Sequence, residues 1–174
     1  MQVRELKRRE DRVAVEAIDT GFETDVVFDV IAGERGLALE ERKLPRPITK
    51  RYSIREVFQP WASWQQGWVA EVDGVVRGFA TVEYEPWRER LALWFLYIGP
   101  AWRRQGLGRA LLQEVERHGR EVGATHVWLE TSSANVPGVR AYARLGYTLC
   151  GADVHYYGKY MPGESAIFLA KPLR

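Results

Sequence analysis

The feature that most constrains the fold of this 174-residue chain is an uninterrupted apolar run that leads into a basic, glycine-bearing loop. Residues 91–98 read LALWFLYI, and Gly99 and Pro100 follow at once. A fully apolar run of this length, ended by a Gly-Pro pair, is typical of a strand buried on both faces. Beyond the loop, apolar residues recur at helical spacing, at Leu107, Leu111, Leu112, Val115 and Val122. The stretch therefore predicts a buried strand, a loop and an amphipathic helix, in that order.

The loop between this strand and helix has the features of an anion-binding site. We call residues 103–109 the cradle loop; they are Arg103, Arg104, Gln105, Gly106, Leu107, Gly108 and Arg109. A helix start presents unpaired backbone N–H groups and the positive end of the helix dipole, and both favour an anion. The glycines lack side chains that would keep a ligand from the backbone, and the arginines add charge. The pattern favours a phosphate cradle over a plain turn with surface arginines.

Two common phosphate-binding motifs do not match the cradle loop. The dinucleotide-binding fingerprint needs glycine or alanine where this chain has Leu111. A P-loop needs lysine and then serine or threonine after its last glycine, whereas Gly108 is followed by Arg109 and Ala110. What remains is a buried strand followed by Arg-x-x-Gly-x-Gly.

Length and composition limit the number of domains, the cellular compartment and the kinds of partner that this chain can have. The length predicts one domain over residues 1–174, and no apolar run approaches the ~20 residues of a membrane span. The charged N-terminus lacks the apolar segment of a signal peptide, and one cysteine excludes an internal disulfide, so we expect a cytoplasmic protein. The net charge of +2, with both signs intermixed, gives no nucleic-acid footprint.

The rest of the chain predicts further strands and two more helices. Strands are expected at residues 3–6, 67–72, 75–85, 126–131, 147–157 and 165–169, with a turn at Asp73 and Gly74. One helix is expected over residues 11–18 with Asp11 as its cap. The other begins after Asn135 and is closed by Gly146 in the left-handed cap position.

The N-terminal half also predicts a β-hairpin. Alternating residues at 25–31 and 37–39 flank a turn over residues 33–36. Residues 43–51, which contain Pro45 and Pro47, are expected to form an extended connector.

A second informative stretch covers residues 129–147, LETSSANVPGVRAYARLGY. GNAT N-acetyltransferases commonly have Asn here, a small residue three positions on, Tyr seven positions on, and then Gly and an aromatic residue. The matching residues in this chain are Asn135, Gly138, Tyr142, Gly146 and Tyr147. Together with the cradle loop, which resembles the coenzyme A pyrophosphate loop of the same family, the resemblance covers residues 67–170.

The resemblance implies a GNAT fold of mixed α+β class, with a central mixed, mostly antiparallel β-sheet flanked by helices. It also implies an acetyl-CoA-dependent N-acetyltransferase. The sequence LETSSANVPGVRAYARLGYTLCGADVHYY, followed by Glu164, Ser165 and Ala166, further resembles the streptothricin acetyltransferase group. Members of that group acetylate an amine of an aminoglycoside-like antibiotic, so the implied acceptor is a small-molecule primary amine and the implied biological role is antibiotic resistance.

The resemblance also implies how acetyl-CoA, the cosubstrate, is bound. Its pantetheine arm would lie like a short strand beside Leu96, Tyr97 and Ile98, where that strand diverges from the next. The N–H of Leu96 or a neighbour would polarise the thioester carbonyl. Backbone groups of residues 104–109 would hold the pyrophosphate, and Asn135 would hydrogen-bond the pantetheine.

Proton transfer needs an acid and a base. The resemblance implies that Tyr142 protonates the departing thiolate, and a phenol with a pKa near ~10 is a suitable donor. The acceptor ammonium must first lose a proton. Candidate bases are Glu130, at the end of its strand, and Glu83 or Glu85 on the preceding strand, and an ordered water is an alternative.

Other conspicuous residues favour structural roles. Cys150 is expected to be a packed thiol, and His118, His126 and His155 show no metal-ligand spacing, so no metal is expected. Most tryptophans should be in the core. Trp61, Trp64 and Trp87 fall in loops that would border the acceptor cleft, although packing roles are favoured there as well.

Two other functional hypotheses stay open. The acceptor could be the N-terminus or a lysine of a peptide or protein, or the chain could be a CoA-binding sensor module without turnover. Retention of Tyr142 and Asn135 argues against lost chemistry. A homodimer is common among relatives and is an expectation here.

Overall fold

The computed structural model describes residues 1–34 and 36–173. Its helices are α1 (Arg12–Glu16), α2 (Leu107–Glu121) and α3 (Val136–Arg144). Its strands are β1 (Gln2–Glu5), β2 (Phe22–Gly33), β3 (Gly36–Lys50), β4 (Gln66–Val72), β5 (Val75–Glu85), β6 (Arg90–Ile98), β7 (His126–Ser132), β8 (Thr148–Asp153) and β9 (Ala166–Pro172). The predicted mixed α+β class is confirmed.

The described residues group into two compact units. Unit one contains residues 1–21, 51–127 and 172–173, and unit two contains residues 22–34, 36–50 and 128–171. The single domain expected over residues 1–174 stays a prediction.

Unit one contains an antiparallel set of strands in the order β1-β4-β5-β6. The predicted Asp73-Gly74 turn joins β4 to β5, and both residues have positive φ, at 51° and 74°. This is the backbone of a type I′ turn, which matches the right-handed twist of the paired strands. The turn therefore places Val72 opposite Val75, and the register of the two strands shifts once, between Glu71 and Ala70.

Helix α2 belongs to unit one and has the apolar face that the sequence predicts. Its buried side chains include Leu107, Leu111, Leu112 and Val115. Gly119 allows close packing, since a Cβ there would lie 2.5 Å from Leu173 and 3.4 Å from Leu91. The helix ends before Gly123, whose φ is +82°.

Helix α1 differs from the prediction in its cap. Asp11 stands at the N-cap position, but its side chain accepts no hydrogen bond from the helix. Its carboxylate instead accepts from Arg4 at 2.7 and 2.8 Å and from the Lys7 N–H at 2.7 Å. The Arg4 hydrogen bonds hold the pKa of Asp11 below its usual range. Asp11 therefore ties β1 to α1 rather than capping the helix.

In unit two, β2 and β3 form the predicted hairpin, but its second strand is longer than expected. The predicted connector over residues 43–51 is wrong for most of its length, because β3 continues to Lys50. The pairing shifts from Val26 opposite Lys43 to Thr24 opposite Ile48. Pro45 and Pro47 fall inside that shift, where a residue without an N–H removes no ladder hydrogen bond. Arg35, in the predicted turn, lies outside the described residues.

The remaining strands of unit two follow the order β7-β9-β8, and β8 pairs antiparallel with β9. The strand predicted over residues 147–157 is too long, since β8 ends at Asp153 and turns follow. Helix α3 begins and ends as predicted, between Asn135 and Gly146, whose φ is +91°.

Candidate active site

Strand β6 contains a β-bulge at Trp94. Thr81 of β5 pairs with Phe95 and Val82 pairs with Leu93, so Trp94 is the extra residue between them. Residues 91–93 before the bulge are buried, whereas residues 94–98 beyond it are half-buried. The prediction of a strand buried on both faces is therefore wrong for its second half. A bulge bends a strand and redirects its side chains, and bulges are common beside active sites.

Beyond the bulge, β6 is held tightly against β5. Leu96, Tyr97 and Ile98 lie opposite Ala80, Phe79 and Gly78. A Cβ at Gly78 would lie 2.4 Å from Ile98 Cδ1 and 2.9 Å from the Tyr97 carbonyl oxygen, so only glycine fits this approach. The segment proposed to lie beside the cosubstrate is thus fixed in place by its neighbour within unit one.

The chain between β6 and α2 is braced by its own hydrogen bonds. The Gly99 N–H donates to the Arg77 carbonyl at 2.9 Å, and a 3-10 turn follows at Pro100–Trp102. Arg103 turns back, and its Nε donates to the Ile98 carbonyl at 3.0 Å. Burial lowers the pKa of this guanidinium. Arg103 therefore acts as a brace of the cradle loop.

The start of α2 leaves backbone donors without acceptors in the helix. The first hydrogen bond of the helix runs from the Ala110 N–H to the Gly106 carbonyl, at 3.0 Å. The preceding amides cannot reach an acceptor one turn back, because the chain there is not helical. Arg104 and Gly106 have positive φ, at 63° and 90°. Such alternation turns successive amides towards one side and forms an anion-binding concavity.

Space and charge at the cradle loop also suit an anion. A Cβ at Gly106 would meet nothing within 4 Å, and one at Gly108 would lie 3.9 Å from Ile98. Arg104 and Arg109 are exposed, and neither takes part in the ion pairs found among residues 1–34 and 36–173. Gln105 folds back and donates to the Ala101 carbonyl at 2.8 Å. The donor set therefore fits a diphosphate.

In unit two, the amide of Asn135 is used twice within the protein. Its oxygen accepts from the Gly138 N–H at 3.1 Å, and its nitrogen donates to Thr131 Oγ1 at 2.9 Å. The side chain is therefore the N-cap of α3. One amide hydrogen remains for a ligand, which is what the predicted pantetheine contact requires.

Tyr142 lies on α3, where its half-buried ring packs edge-on against Tyr147, with centroids 5.5 Å apart. Burial raises the pKa of its phenol well above the ordinary value, and the charge of Glu130 adds to the effect. The hydroxyl therefore stays protonated at neutral pH, as an acid must before it donates.

Glu130 lies on β7 between the buried residues Leu129 and Thr131. Its Oε1 accepts a hydrogen bond from the hydroxyl of Tyr157. Burial raises the pKa of the Glu130 carboxyl, and the Tyr157 hydrogen bond opposes part of that rise. A carboxylate made more basic by burial suits proton removal.

The two carboxylates on β5, in unit one, differ from each other. Glu83 accepts from Trp94 Nε1 at 2.9 Å and from Ser63 Oγ at 3.2 Å, so it lies directly beside the bulge. Glu85 accepts from Arg88 at 2.8 Å and from Arg90 at 2.9 Å. Burial raises its pKa, but these arginine hydrogen bonds outweigh that effect and lower it. Glu85 is therefore a poorer candidate for the general base than the sequence analysis predicted.

The three loop tryptophans of unit one differ in exposure and in what they contact. Trp64 is buried, and its Nε1 donates to the Val57 carbonyl at 2.6 Å, so it belongs to the core. Trp61 is 56% exposed and packs beside Trp94, with ring centroids 6.4 Å apart. Trp87 is exposed, and Arg88 lies 3.8 Å above its ring.

Cys150 and His118 differ in their surroundings. Cys150 is exposed on β8, so the predicted packed thiol is wrong. His118 packs against the Trp68 ring at 5.5 Å, and burial lowers its pKa. The described residues contain no group of three or more side chains arranged to hold a metal ion.

Sequence reasoning missed the polar contacts at the end of β7. Glu164 accepts from Ser132 and pairs with Lys50, which lies at the end of β3. Ser133 Oγ accepts from the Ser165 N–H at 3.0 Å. Because Lys50 and Glu164 are 114 residues apart, no local pattern could have joined them.

In unit one, a bulged strand leads into a helix start whose first backbone donors lack acceptors in the helix, which is the arrangement expected of an acetyltransferase that uses acetyl-CoA. In unit two, the Asn135 cap and the protonated Tyr142 are the side chains expected of the same class of enzyme. The model of the acetyltransferase (GNAT) family matches residues 37–147. The chain belongs to that family, and it is an N-acetyltransferase with acetyl-CoA as its cosubstrate. Among the described residues, none of the helices combines the length and the hydropathy of a membrane-spanning segment.

Within the family, the chain is similar to several individual enzymes. The streptothricin acetyltransferase of Streptomyces lavendulae is 33% identical over 170 residues, which cover 93% of this chain and 90% of that enzyme. The crystal structure of a nourseothricin acetyltransferase is 35% identical with a TM-score of 0.87, covering 99% and 98% of the two chains. The ribosomal protein bS18 alanine N-acetyltransferase of Escherichia coli K12 is 31% identical over 49% of this chain and 57% of that enzyme.

Proposed function

We propose that this enzyme acetylates a primary amine of a streptothricin-like antibiotic, and that resistance to such compounds is its biological role. The observation that carries the proposal is the extent of the likeness to the Streptomyces lavendulae enzyme, which covers 93% of this chain. The sequence match to the bS18 alanine enzyme covers only 49%. Peptide acetylation is therefore the second candidate, because that sequence match omits half of the chain.

Acetyl-CoA supplies an acetyl group that its thioester linkage activates for attack by an amine. We assign the diphosphate to the backbone N–H groups of residues 104–109, with Arg104 and Arg109 adding positive charge. The segment Leu96 to Ile98 would align the pantetheine arm, and an N–H of that segment would hydrogen-bond the thioester oxygen as it gains charge. Asn135 would offer its remaining amide hydrogen to the same arm.

For proton transfer we favour Tyr142 as acid and Glu130 as base. Tyr142 keeps its proton because burial raises its pKa, and the departing thiolate is basic enough to take it. Burial likewise makes Glu130 more basic than an exposed carboxylate. Glu83, which is tied to Trp94 and Ser63, is the second candidate base and a candidate anchor for the acceptor's ammonium group.

The proposal extends to compartment and assembly. We propose that the enzyme works in the cytoplasm, where a reducing environment suits a chain with a single cysteine. A homodimer, which is common in the family, stays a prediction that analytical ultracentrifugation would test.

Release of coenzyme A thiol from acetyl-CoA tests the acceptor. The assay would compare a streptothricin, free lysine and an alanine-terminated peptide at equal concentrations. We expect kcat/KM for the streptothricin to exceed the other two values by at least about 100-fold, since one well-recognised acceptor accounts for ~3 kcal/mol of discrimination. Preference for the peptide would establish the second candidate. Coenzyme A binding by calorimetry without turnover of any amine would establish a sensor.

A further inference from the structure

The hydroxyl of Tyr157 donates to Oε1 of Glu130. Tyr157 lies between β8 and β9, and the catalytic roles assigned above make no use of it. The contact joins residues 27 positions apart in the chain. No other hydrogen bond to the Glu130 side chain is found among the described residues, so Oε2 of the carboxylate has no donor in that part of the chain.

A carboxylate buried as Glu130 is needs a donor if it is to remain charged. Burial disfavours the ionised form, and a hydrogen bond from a hydroxyl favours it. Besides burial, the charge of Glu130 raises the pKa of two phenols, those of Tyr142, on α3, and Tyr156, in the same segment as Tyr157. Neither phenol carries a positive charge, so neither stabilises the carboxylate as a cation would. The hydrogen bond from Tyr157 is therefore the main interaction with the protein that stabilises the ionised form of Glu130.

The segment that carries Tyr157 is built to hold this tyrosine. The Gly158 N–H donates to the His155 carbonyl at 3.1 Å, and the Tyr160 N–H donates to the Tyr157 carbonyl at 3.0 Å. The Tyr157 ring meets the Tyr156 ring edge-on, with centroids 5.2 Å apart. Tyr156 in turn packs on Phe168 of β9 at 5.9 Å. Successive turns and ring contacts therefore fix the position of the hydroxyl.

We propose that Tyr157 is a positioning residue for the acetyl transfer: its hydroxyl orients Glu130 and keeps it ionised, so that Oε2 can take a proton from the acceptor's ammonium group. The inference rests on the proposed role of Glu130 as base. The proton moves from the acceptor nitrogen to Oε2 and then to solvent, which leaves the nitrogen lone pair available for attack. Tyr157 itself keeps its proton throughout.

Removal of the hydroxyl alone, in Tyr157→Phe, tests the proposal. Loss of one hydrogen bond to a charged group should move the acidic limb of the pH profile of kcat/KM upward by about one to two pH units. At pH values below the acidic limb, kcat/KM should fall by about 10- to 100-fold, which is the same shift expressed as a ratio, and well above the limb, where the carboxylate is ionised in both proteins, it should change little. The acceptor's own ionisation is the same in both proteins and cancels in the comparison. The matched control is Tyr160→Phe, which removes the hydroxyl of an 84% exposed residue in the same segment and should leave the profile unchanged.

A second measurement does not depend on turnover. Carbon-13 NMR titration of the glutamate carboxyls, with Glu130→Gln to assign the signal, gives the pKa of Glu130 directly. It should rise in Tyr157→Phe and stay constant in Tyr160→Phe. An unchanged Glu130 pKa in a folded Tyr157→Phe protein would overturn the inference.

The same variants separate failure of the inference from failure of the proposed base. If Glu130→Gln retains full activity, the proposed base is wrong. If Glu130→Gln is inactive but Tyr157→Phe keeps the wild-type pH profile, Glu130 stands as base and the positioning role of Tyr157 is wrong.

Discussion

The side chain of Asn135 occupies the space in which a Cβ of residue 138 would lie. A Cβ built on Gly138 would come within 2.4 Å of Asn135 Nδ2 and 2.7 Å of Asn135 Oδ1. The glycine is therefore matched to the cap: it donates its N–H to the asparagine and leaves room for the amide that receives it.

This match predicts a coupling between positions 135 and 138. In the wild type, Gly138→Ala should give no net gain in the free energy of unfolding, because the new methyl group displaces the cap. In an Asn135→Ala background, the same substitution should stabilise by about 0.5–1 kcal/mol, the usual gain from replacing glycine in a helix. Asn135→Ala alone should cost about 1 kcal/mol. Urea unfolding of the four proteins measures the cycle, and additive effects would contradict the match.

Gly106 and Gly108 should respond differently to alanine. Gly106 has a φ of +90°, so alanine there is strained whatever the space, and Gly106→Ala should cost about 1–2 kcal/mol of stability. It should also weaken coenzyme A binding, since the backbone amides move. Gly108 is the matched control for stability, because its Cβ would make only an ordinary contact at 3.9 Å. Thermal unfolding and calorimetry with coenzyme A test the pair.

The exposed arginines of the cradle loop should act on cosubstrate binding alone. Arg104→Gln and Arg109→Gln should each raise the KM for acetyl-CoA by about two- to five-fold, the usual range for a solvent-exposed charge, with kcat unchanged. The effect should shrink as salt is added, because the interaction is screened. Arg120→Gln, an exposed charge in the last turn of the same helix, is the control. A fall in kcat rather than a rise in KM would contradict a purely binding role.

Tyr142→Phe should still bind coenzyme A in calorimetry but acetylate about 100- to 10,000-fold more slowly, the usual contribution of a general acid. Unchanged turnover would show that another group protonates the thiolate. Stability offers a second readout. Because folding raises the pKa of Tyr142, the folded state binds more protons than the unfolded state above pH ~10. The free energy of unfolding should therefore fall as pH rises above that value, and fall less steeply in the variant.

Local sequence patterns predicted the parts of the fold that local physics determines. The Asp73-Gly74 turn predicted the two strands that it joins, and the helical spacing of apolar residues from Leu107 predicted α2. The prolines led to the error in β3, because a proline excludes a ladder hydrogen bond but does not end a strand when the register shifts around it.

The candidate site was predictable only where a motif spans a short stretch. The cradle loop and the Asn135 cap are of that kind. Two other contacts, Tyr157 with Glu130 and Lys50 with Glu164, depend on how segments distant in the sequence pack together. Local sequence patterns contain no information about such packing. The bulge at Trp94 could not be predicted for another reason. In a continuous apolar run there is no alternation of polar and apolar residues that one extra residue would interrupt.

That extra residue divides β6 into two segments with independent registers. Leu91 and Leu93 follow the alternation set by Tyr84 and Val82, while residues 95–98 follow that set by residues 78–81. A substitution that changes side-chain size in the half proposed to lie beside the cosubstrate is therefore separated by the bulge from the half that anchors the core. Variants with altered preference for the acyl-CoA cosubstrate should consequently be easier to obtain beyond Trp94 than before it.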